Sequence, residues 1–135
     1  VEREISQLAT DSGAKIVVAL DRVWDRIGPL VERREIDVAI VTGAHDELPT
    51  LKRLLYPLKY RKEMVKVPHE PSRGIHQFRK LMKGAPTARP DVRITTEDIA
   101  AFQYTGGTTG LPKAAVLTHG NMAVNVLQVR AWVPD

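Results

Sequence analysis

An α/β fold is predicted by two observations: a pair of β-branched runs flanking an amphipathic stretch, and a glycine-rich turn set between two further extended segments. Ala14 to Leu20 and Ile36 to Val41 are short, apolar and rich in Val and Ile, the pattern of strands buried in a parallel sheet. Between them Val23, Ile27, Leu30 and Val31 recur at helical spacing. Strand, helix and strand at this separation form a right-handed βαβ unit with parallel strands. The last third reads strand, glycine-rich loop, strand, helix.

Each element has its own warrant. Glu4 to Ser12 puts Ile5, Leu8 and Ala9 on one helical face, and Gly13 suits the left-handed turn that ends a helix. The run from Ala14 to Leu20 follows as a buried strand. Asp21 is a candidate N-cap for the next helix, which Pro29 is expected to kink or split because it has no N–H to donate. Leu51, Leu54, Leu55 and Leu58 fall on one stripe, with Lys52, Arg53 and Lys59 off it and Pro57 limiting the length. A second short amphipathic stretch sets Ile75, Phe78 and Met82 against Arg79, Lys80 and Lys83, after a loop from Pro68 to Gly74. Ala85 to Asp91 is a connector carrying Pro86 and Pro90. Ile99 to Tyr104 and Ala114 to Leu117 are extended, and from Gly120 Met122, Val126 and Val129 recur at helical spacing until Pro134. The chain thus divides into a βαβ portion (1–50), a basic amphipathic region with its connector (51–91), and a loop hairpin with its helix (92–135). It begins at Val1 inside a helical pattern and stops just after another helix, so it reads as a fragment of something larger.

Composition bounds the chemistry. The 135 residues are enough for one modest core. No cysteine is present, which excludes disulfides, thiolate nucleophiles and cysteine-built zinc sites within this sequence. No apolar run approaches the roughly 20 residues that cross a bilayer. Lys and Arg number 20 against 16 Asp and Glu, and the excess concentrates between Lys52 and Lys83. That region reads either as a solvated helix face or as a peripheral contact with anionic membrane. Nucleic acid is disfavoured, because only 5% of residues are aromatic and few bases could stack. His45, His69 and His76 lack metal-ligand spacing and read as surface residues. No metal ligand and no acid/base pair is identified.

The chemistry concentrates in Tyr104-Thr105-Gly106-Gly107-Thr108-Thr109-Gly110-Leu111-Pro112-Lys113. Three glycines let the backbone turn sharply and bring N–H groups close to a ligand. The threonine hydroxyls add short donors, Lys113 adds a cation, and successive N–H groups in such a turn form a concave anion site. Leu111 and Pro112 separate the last glycine from the lysine, so this is not a Walker loop. The glycine spacing also rules out a Rossmann fingerprint. By composition alone, the plain alternative is a Gly/Thr-rich hairpin turn.

With Thr118-His119-Gly120-Asn121 following, the string closely resembles the phosphate-loop signature of the adenylate-forming (AMP-binding) superfamily. Thr96-Glu97-Asp98-Ile99-Ala100 leading into Phe102, Gln103 and Tyr104 is similar to its long-chain fatty acyl-CoA synthetase branch. So is the basic leucine-rich stretch from Leu51 to Lys62, while Glu2 to Lys15 resembles the superfamily's helix and following strand more generally. The resemblance implies that the chain is part of the large N-terminal domain of a fatty acid–CoA ligase. It further implies that Tyr104, Thr105, Gly106, Gly107, Thr108, Thr109, Gly110 and Lys113 hold ATP phosphates. ATP with Mg²⁺, a fatty acid and coenzyme A are the implied reactants, and a cytoplasmic setting, at the inner face of a membrane when peripheral, the implied location. The one departure is Ala114, where the family usually has glycine; its methyl is small enough for the loop to survive. His119 either faces the acyl-adenylate or, the favoured reading, packs near the helix start. The family's later motifs and mobile C-terminal domain are not in this sequence, so the chain alone is expected to lack ligase activity. Missing neighbours for its strands make association or swapping a further expectation. The competing readings are another adenylate-forming enzyme (an acyl-AMP ligase, an aryl-CoA ligase or a peptide-synthetase adenylation domain) and, from a different class, a non-catalytic basic module for membrane or nucleic acid.

Overall fold

A computed structural model describes residues 2–61, 65–105 and 113–133. The chain divides into two compact units, residues 1–87 and residues 88–135.

The first unit begins with helix α1 (Glu2–Ser12), which stops at Gly13 with φ of 66°. Strand β1 (Ile16–Leu20) leads through a single 3-10 turn (Asp21–Val23) into helix α2 (Trp24–Glu32) and strand β2 (Val38–Thr42). Helix α3 (Thr50–Tyr60), a 3-10 turn (Pro71–Arg73), strand β3 (Ile75–Gln77) and helix α4 (Phe78–Lys83) complete it. The strands lie in the order β1-β2-β3, all parallel, with Val18 opposite Ile40 and Ile40 opposite His76. The expected parallel βαβ portion is therefore present.

The core lies on one face of this sheet. Leu30 and Ile36 are fully buried, with Ala9, Ile27, Val31, Ala39, Val41 and Ile75 around them. Apart from Ile36, in the connection before β2, those residues come from α1, α2, β2 and β3, so both helices pack on the same side.

Four expectations are corrected. The stretch from Ile75 belongs to two elements rather than one amphipathic stretch, because Ile75–Gln77 is the third parallel strand and only Phe78–Lys83 is helical. Ile75 meets the core through the pleat of β3, where its side chain is buried. The anchor is Gly74, in left-handed conformation with φ of 75°; a Cβ there would stand 2.1 Å from the carbonyl oxygen of Asp37. Its own carbonyl accepts from the Ala39 N–H at 2.8 Å. Glycine is required at that close approach.

β1, expected to be buried, is covered on one side. Val17 and Ala19 pack toward the core, whereas Ile16, Val18 and Leu20 are 58%, 64% and 53% exposed. Asp21 does not cap α2; it starts the 3-10 turn, and Val23 at the N-cap offers no side-chain acceptor. Nor does Pro29 split α2, which runs unbroken to Glu32. The burial of Ile27, Leu30 and Val31, at about 1.5–3 kcal/mol each, outweighs the roughly 3 kcal/mol cost of an interior proline.

The second unit is simpler. Strands β4 (Ile99–Thr105) and β5 (Lys113–Thr118) pair antiparallel, and helix α5 (His119–Trp132) follows directly. None of the described residues in this unit is buried. Met122, Val126 and Val129, the predicted helical stripe, are 48%, 65% and 57% exposed.

Candidate functional site

The register of the hairpin places the ends of the glycine-rich string opposite one another. Tyr104 pairs with Ala114 and Thr105 with Lys113. Directly opposed residues of an antiparallel pair project to the same face, so the Thr105 hydroxyl and the Lys113 ammonium share one side of the ribbon's end. The Thr105 hydroxyl donates to the Lys113 carbonyl oxygen at 3.2 Å, tying the two strands together where the loop departs. Both residues are exposed, and Tyr104 is half-buried on the adjacent pair. Gly106, Gly107, Thr108, Thr109 and Gly110, with Leu111 and Pro112, lie outside the described residues.

The far end of β5 is fixed by a capping box that the sequence reading passed over. The Thr118 hydroxyl accepts from the Asn121 N–H at 3.2 Å, and the Asn121 side-chain oxygen accepts from the Thr118 N–H at 3.0 Å. The spacing Thr-x-x-Asn was the available signal, with Asn in place of the usual Glu or Gln. The start of α5 is also sewn to the turn before β4. The His119 N–H donates to the Asp98 carbonyl at 3.0 Å and the Gly120 N–H to the Thr96 carbonyl at 2.9 Å. A Cβ at Gly120 would lie 3.1 Å from that Thr96 oxygen, so a small residue suits the junction.

Asp98 organises the turn. Its carboxylate accepts from the Thr95 N–H at 2.6 Å and from the Thr95 hydroxyl at 3.0 Å. Those hydrogen bonds, the backbone one first, hold its pKa below the ordinary carboxylate value, and the nearby His119 adds a smaller push in the same direction. A groove of about 1000 Å³ runs along this junction, lined by Thr96, Leu117, Thr118, Gly120, Asn121 and Met122 among others. His119 itself is exposed at the first position of α5, with its backbone N–H engaged.

A second concavity lies in the other unit, at the C-terminal ends of the three parallel strands, where ligands of open α/β sheets are commonly held. It encloses about 560 Å³, with Asp21, His45, Asp46, Lys66, Arg79 and Lys80 in its lining. Without β3 in place, no sequence pattern could have gathered these residues. The three histidines expected at the surface are half-buried. His45 stacks on Tyr56 at 5.6 Å between centroids, and His69 meets His76 edge-on at 6.1 Å. Among the described residues, no group of three or more His, Asp or Glu is arranged to hold a metal.

Comparison with known proteins bears on this hairpin and on the chain around it. The family model described as "AMP-binding enzyme" matches residues 1–135. A long-chain-fatty-acid–CoA ligase of Bacillus subtilis (strain 168) is 34% identical over 99% of this chain, which covers 24% of that protein. One of Haemophilus influenzae is 36% identical over 98% of the chain, again covering 24% of the relative. 4-Coumarate–CoA ligase 1 of Petroselinum crispum is 43% identical over a shorter segment, 38% of the chain and 9% of the relative. The chain thus spans about a quarter of the length of the first two ligases it matches. No solved structure gives a significant match.

Proposed function

Because this chain belongs to the AMP-binding enzyme family, we propose that it is the phosphate-gripping segment of an ATP-dependent long-chain fatty acid–CoA ligase. The observation that carries the reading is the string Tyr104 to Lys113 bracketed by a β-hairpin whose end pairs a hydroxyl with a cation, Thr105 opposite Lys113. An exposed ammonium at the end of the ribbon fits a phosphate ligand by charge, and the Thr105 hydroxyl, whose single proton goes to the Lys113 carbonyl oxygen, braces the two strands there. Identity to named long-chain-fatty-acid–CoA ligases over nearly the whole chain supports the substrate class.

In the proposed reaction the fatty acid carboxylate attacks the α-phosphorus of ATP. The bond to the bridging oxygen breaks and pyrophosphate leaves, so that an acyl-adenylate remains. The thiol of coenzyme A then displaces AMP. The role proposed for Thr105, Gly106, Gly107, Thr108, Thr109, Gly110 and Lys113, with Tyr104 at the margin, is to hold the β- and γ-phosphates in line and to offset charge on the departing pyrophosphate. None of them is assigned a proton transfer. Mg²⁺ is proposed to accompany ATP on its phosphate oxygens. The reaction is placed in the cytoplasm, with the parent protein meeting the inner face of a membrane through the 51–83 region. Among the described residues no helix is long and apolar enough to cross a membrane.

The test is ATP–pyrophosphate exchange by the intact parent enzyme with palmitate, comparing the wild type with Lys113→Ala and Thr109→Ala. Fatty-acid-dependent exchange that falls about a hundredfold in Lys113→Ala is the expected result. Exchange indifferent to both changes would sink the loop assignment. Exchange that requires an aryl or amino acid instead would favour another adenylate-forming enzyme.

A further inference from the structure

The hairpin that brackets the glycine-rich string is not a regular ladder. From Ala101 to Thr105 each residue of β4 faces one of β5, ending with Thr105 opposite Lys113. Between Ile99 and Ala101, β4 advances two residues while β5 advances one, from Thr118 to Leu117. Ala100 is thus the extra residue of a β-bulge. Such a residue bends its strand and changes which side chains oppose one another beyond it.

Where the shift is delivered follows from what is pinned. The base of the hairpin is held on both strands. The His119 N–H donates to the Asp98 carbonyl and the Gly120 N–H to the Thr96 carbonyl, while the capping box of Thr118 and Asn121 fixes the end of β5. The loop end carries a lighter brace, the Thr105 hydroxyl on the Lys113 carbonyl at 3.2 Å. Register is therefore counted from the base, and a change in the length of β4 reaches the loop. Without Ala100, counting from Ile99 opposite Thr118 puts Tyr104 opposite Lys113. The phenol ring would then share a face with the ammonium. Thr105 would pass into the loop, and its hydroxyl would leave the Lys113 carbonyl. Seven residues, 106–112, now separate Thr105 from Lys113; eight, 105–112, would separate Tyr104 from it.

We propose that Ala100 is a positioning residue for the phosphate-binding string. Its bulge sets the register that places Thr105 opposite Lys113, and so fixes the face and the span from which the string meets the ATP phosphates. This deepens the ligase reading and rests on it for the ligand.

The experiment uses the intact parent enzyme in two forms. One lacks Ala100; the other lacks Ala100 and has an alanine inserted between Phe102 and Gln103, which moves the bulge and keeps every native pair. Circular dichroism follows the fold, and ATP–pyrophosphate exchange is measured against ATP and against palmitate. Register is read separately by oxidation of Gln103→Cys/Ala115→Cys in each background, since these residues are directly opposed. Opposed Cα atoms lie about 4.5–5.5 Å apart, within the span of a disulfide, whereas a one-residue slip turns the two side chains to opposite faces. The disulfide is expected with native β4 and with the moved bulge, and is expected to be lost on simple deletion. Exchange should fall about tenfold or more in the deletion, because a displacement on the order of 1 Å can cost about a hundredfold. KM for ATP should rise, KM for palmitate should hold, and the moved bulge should recover most of the rate.

Unchanged exchange in the deletion overturns the proposal, as does a disulfide that persists there. A moved bulge that folds but is as impaired as the deletion overturns it too, because Ala100 would then act through its own contacts. If the deletion alone fails to fold, recovery of exchange by the moved bulge supports the proposal; loss of fold in both variants overturns it. Absence of exchange from the unaltered parent would overturn the ligase reading and this role together, whereas exchange that the deletion leaves untouched overturns the role alone.

Discussion

Lys113 and Asp98 do different work in the same unit, and substitutions separate them. Lys113 ends the glycine-rich string on an exposed strand position opposite Thr105. Its loss should leave stability of the parent unchanged while exchange falls about a hundredfold. Lys113→Arg should recover only part of the rate, because a planar fork replaces a compact point charge. Asp98 instead holds the turn that receives α5, through its two hydrogen bonds from Thr95. Its pKa is lowered on folding, so its contribution is fully present above the ordinary value of about 3.9 and is lost as pH falls through the lower folded value. Asp98→Asn should flatten the acid limb of the stability curve in that window, as read by fluorescence-monitored unfolding at graded pH. At the cap, Thr118→Ala should cost about 1 kcal/mol in chemical denaturation of the parent, and Thr118→Ser should restore most of it.

At the scale of elements, strand β3 depends on its two ends. At the first, Gly74 combines positive φ with contact against the Asp37 carbonyl. Gly74→Ala should therefore destabilise by about 2 to 4 kcal/mol, measured by urea unfolding of the parent. At the other, the Gln77 N–H donates to His69 Nδ1 at 3.2 Å, and the Gln77 side chain donates to the Val67 carbonyl at 2.8 Å. The imidazole accepts only while Nδ1 carries no proton. Burial, then Lys80 and His76, lowers the His69 pKa from its ordinary value. Its stabilising contribution is thus complete above about pH 6.5 and lost as pH falls through the lower folded value. The protection factor of the Gln77 amide, its exchange rate relative to the unstructured rate at the same pH, should fall across that range, and His69→Asn should remove that fall.

At the scale of the molecule, the two units differ in what holds them. Residues 1–87 enclose a core on one sheet face. The described part of residues 88–135 buries no side chain completely, and Phe102, Val116, Val126 and Leu127 are all 45% exposed or more. A two-stranded ribbon with one helix is marginal in water. Expressed alone, residues 88–135 should show no cooperative thermal transition, whereas residues 1–87 should show one, both followed by circular dichroism. A sharp transition from the shorter piece would refute this.

The family resemblance carried by the glycine-rich string and the alternation of strands and helices in residues 1–42 were legible from the sequence alone, because both are local. A string such as Tyr104 to Lys113 carries its meaning in residue types at fixed spacing, and β-branched runs report strands wherever they lie. The family followed from that string and the segments around it. Pairings between distant residues were not legible. β3 is three residues long, too short for a period, and is a strand only because β2 offers Ala39, Ile40 and Val41 for it to pair with. The same limit hid which side of β1 is covered and which way the stripe of α5 faces. A periodic stripe says which residues travel together, and only the packing of the other elements decides whether that stripe meets a core or water.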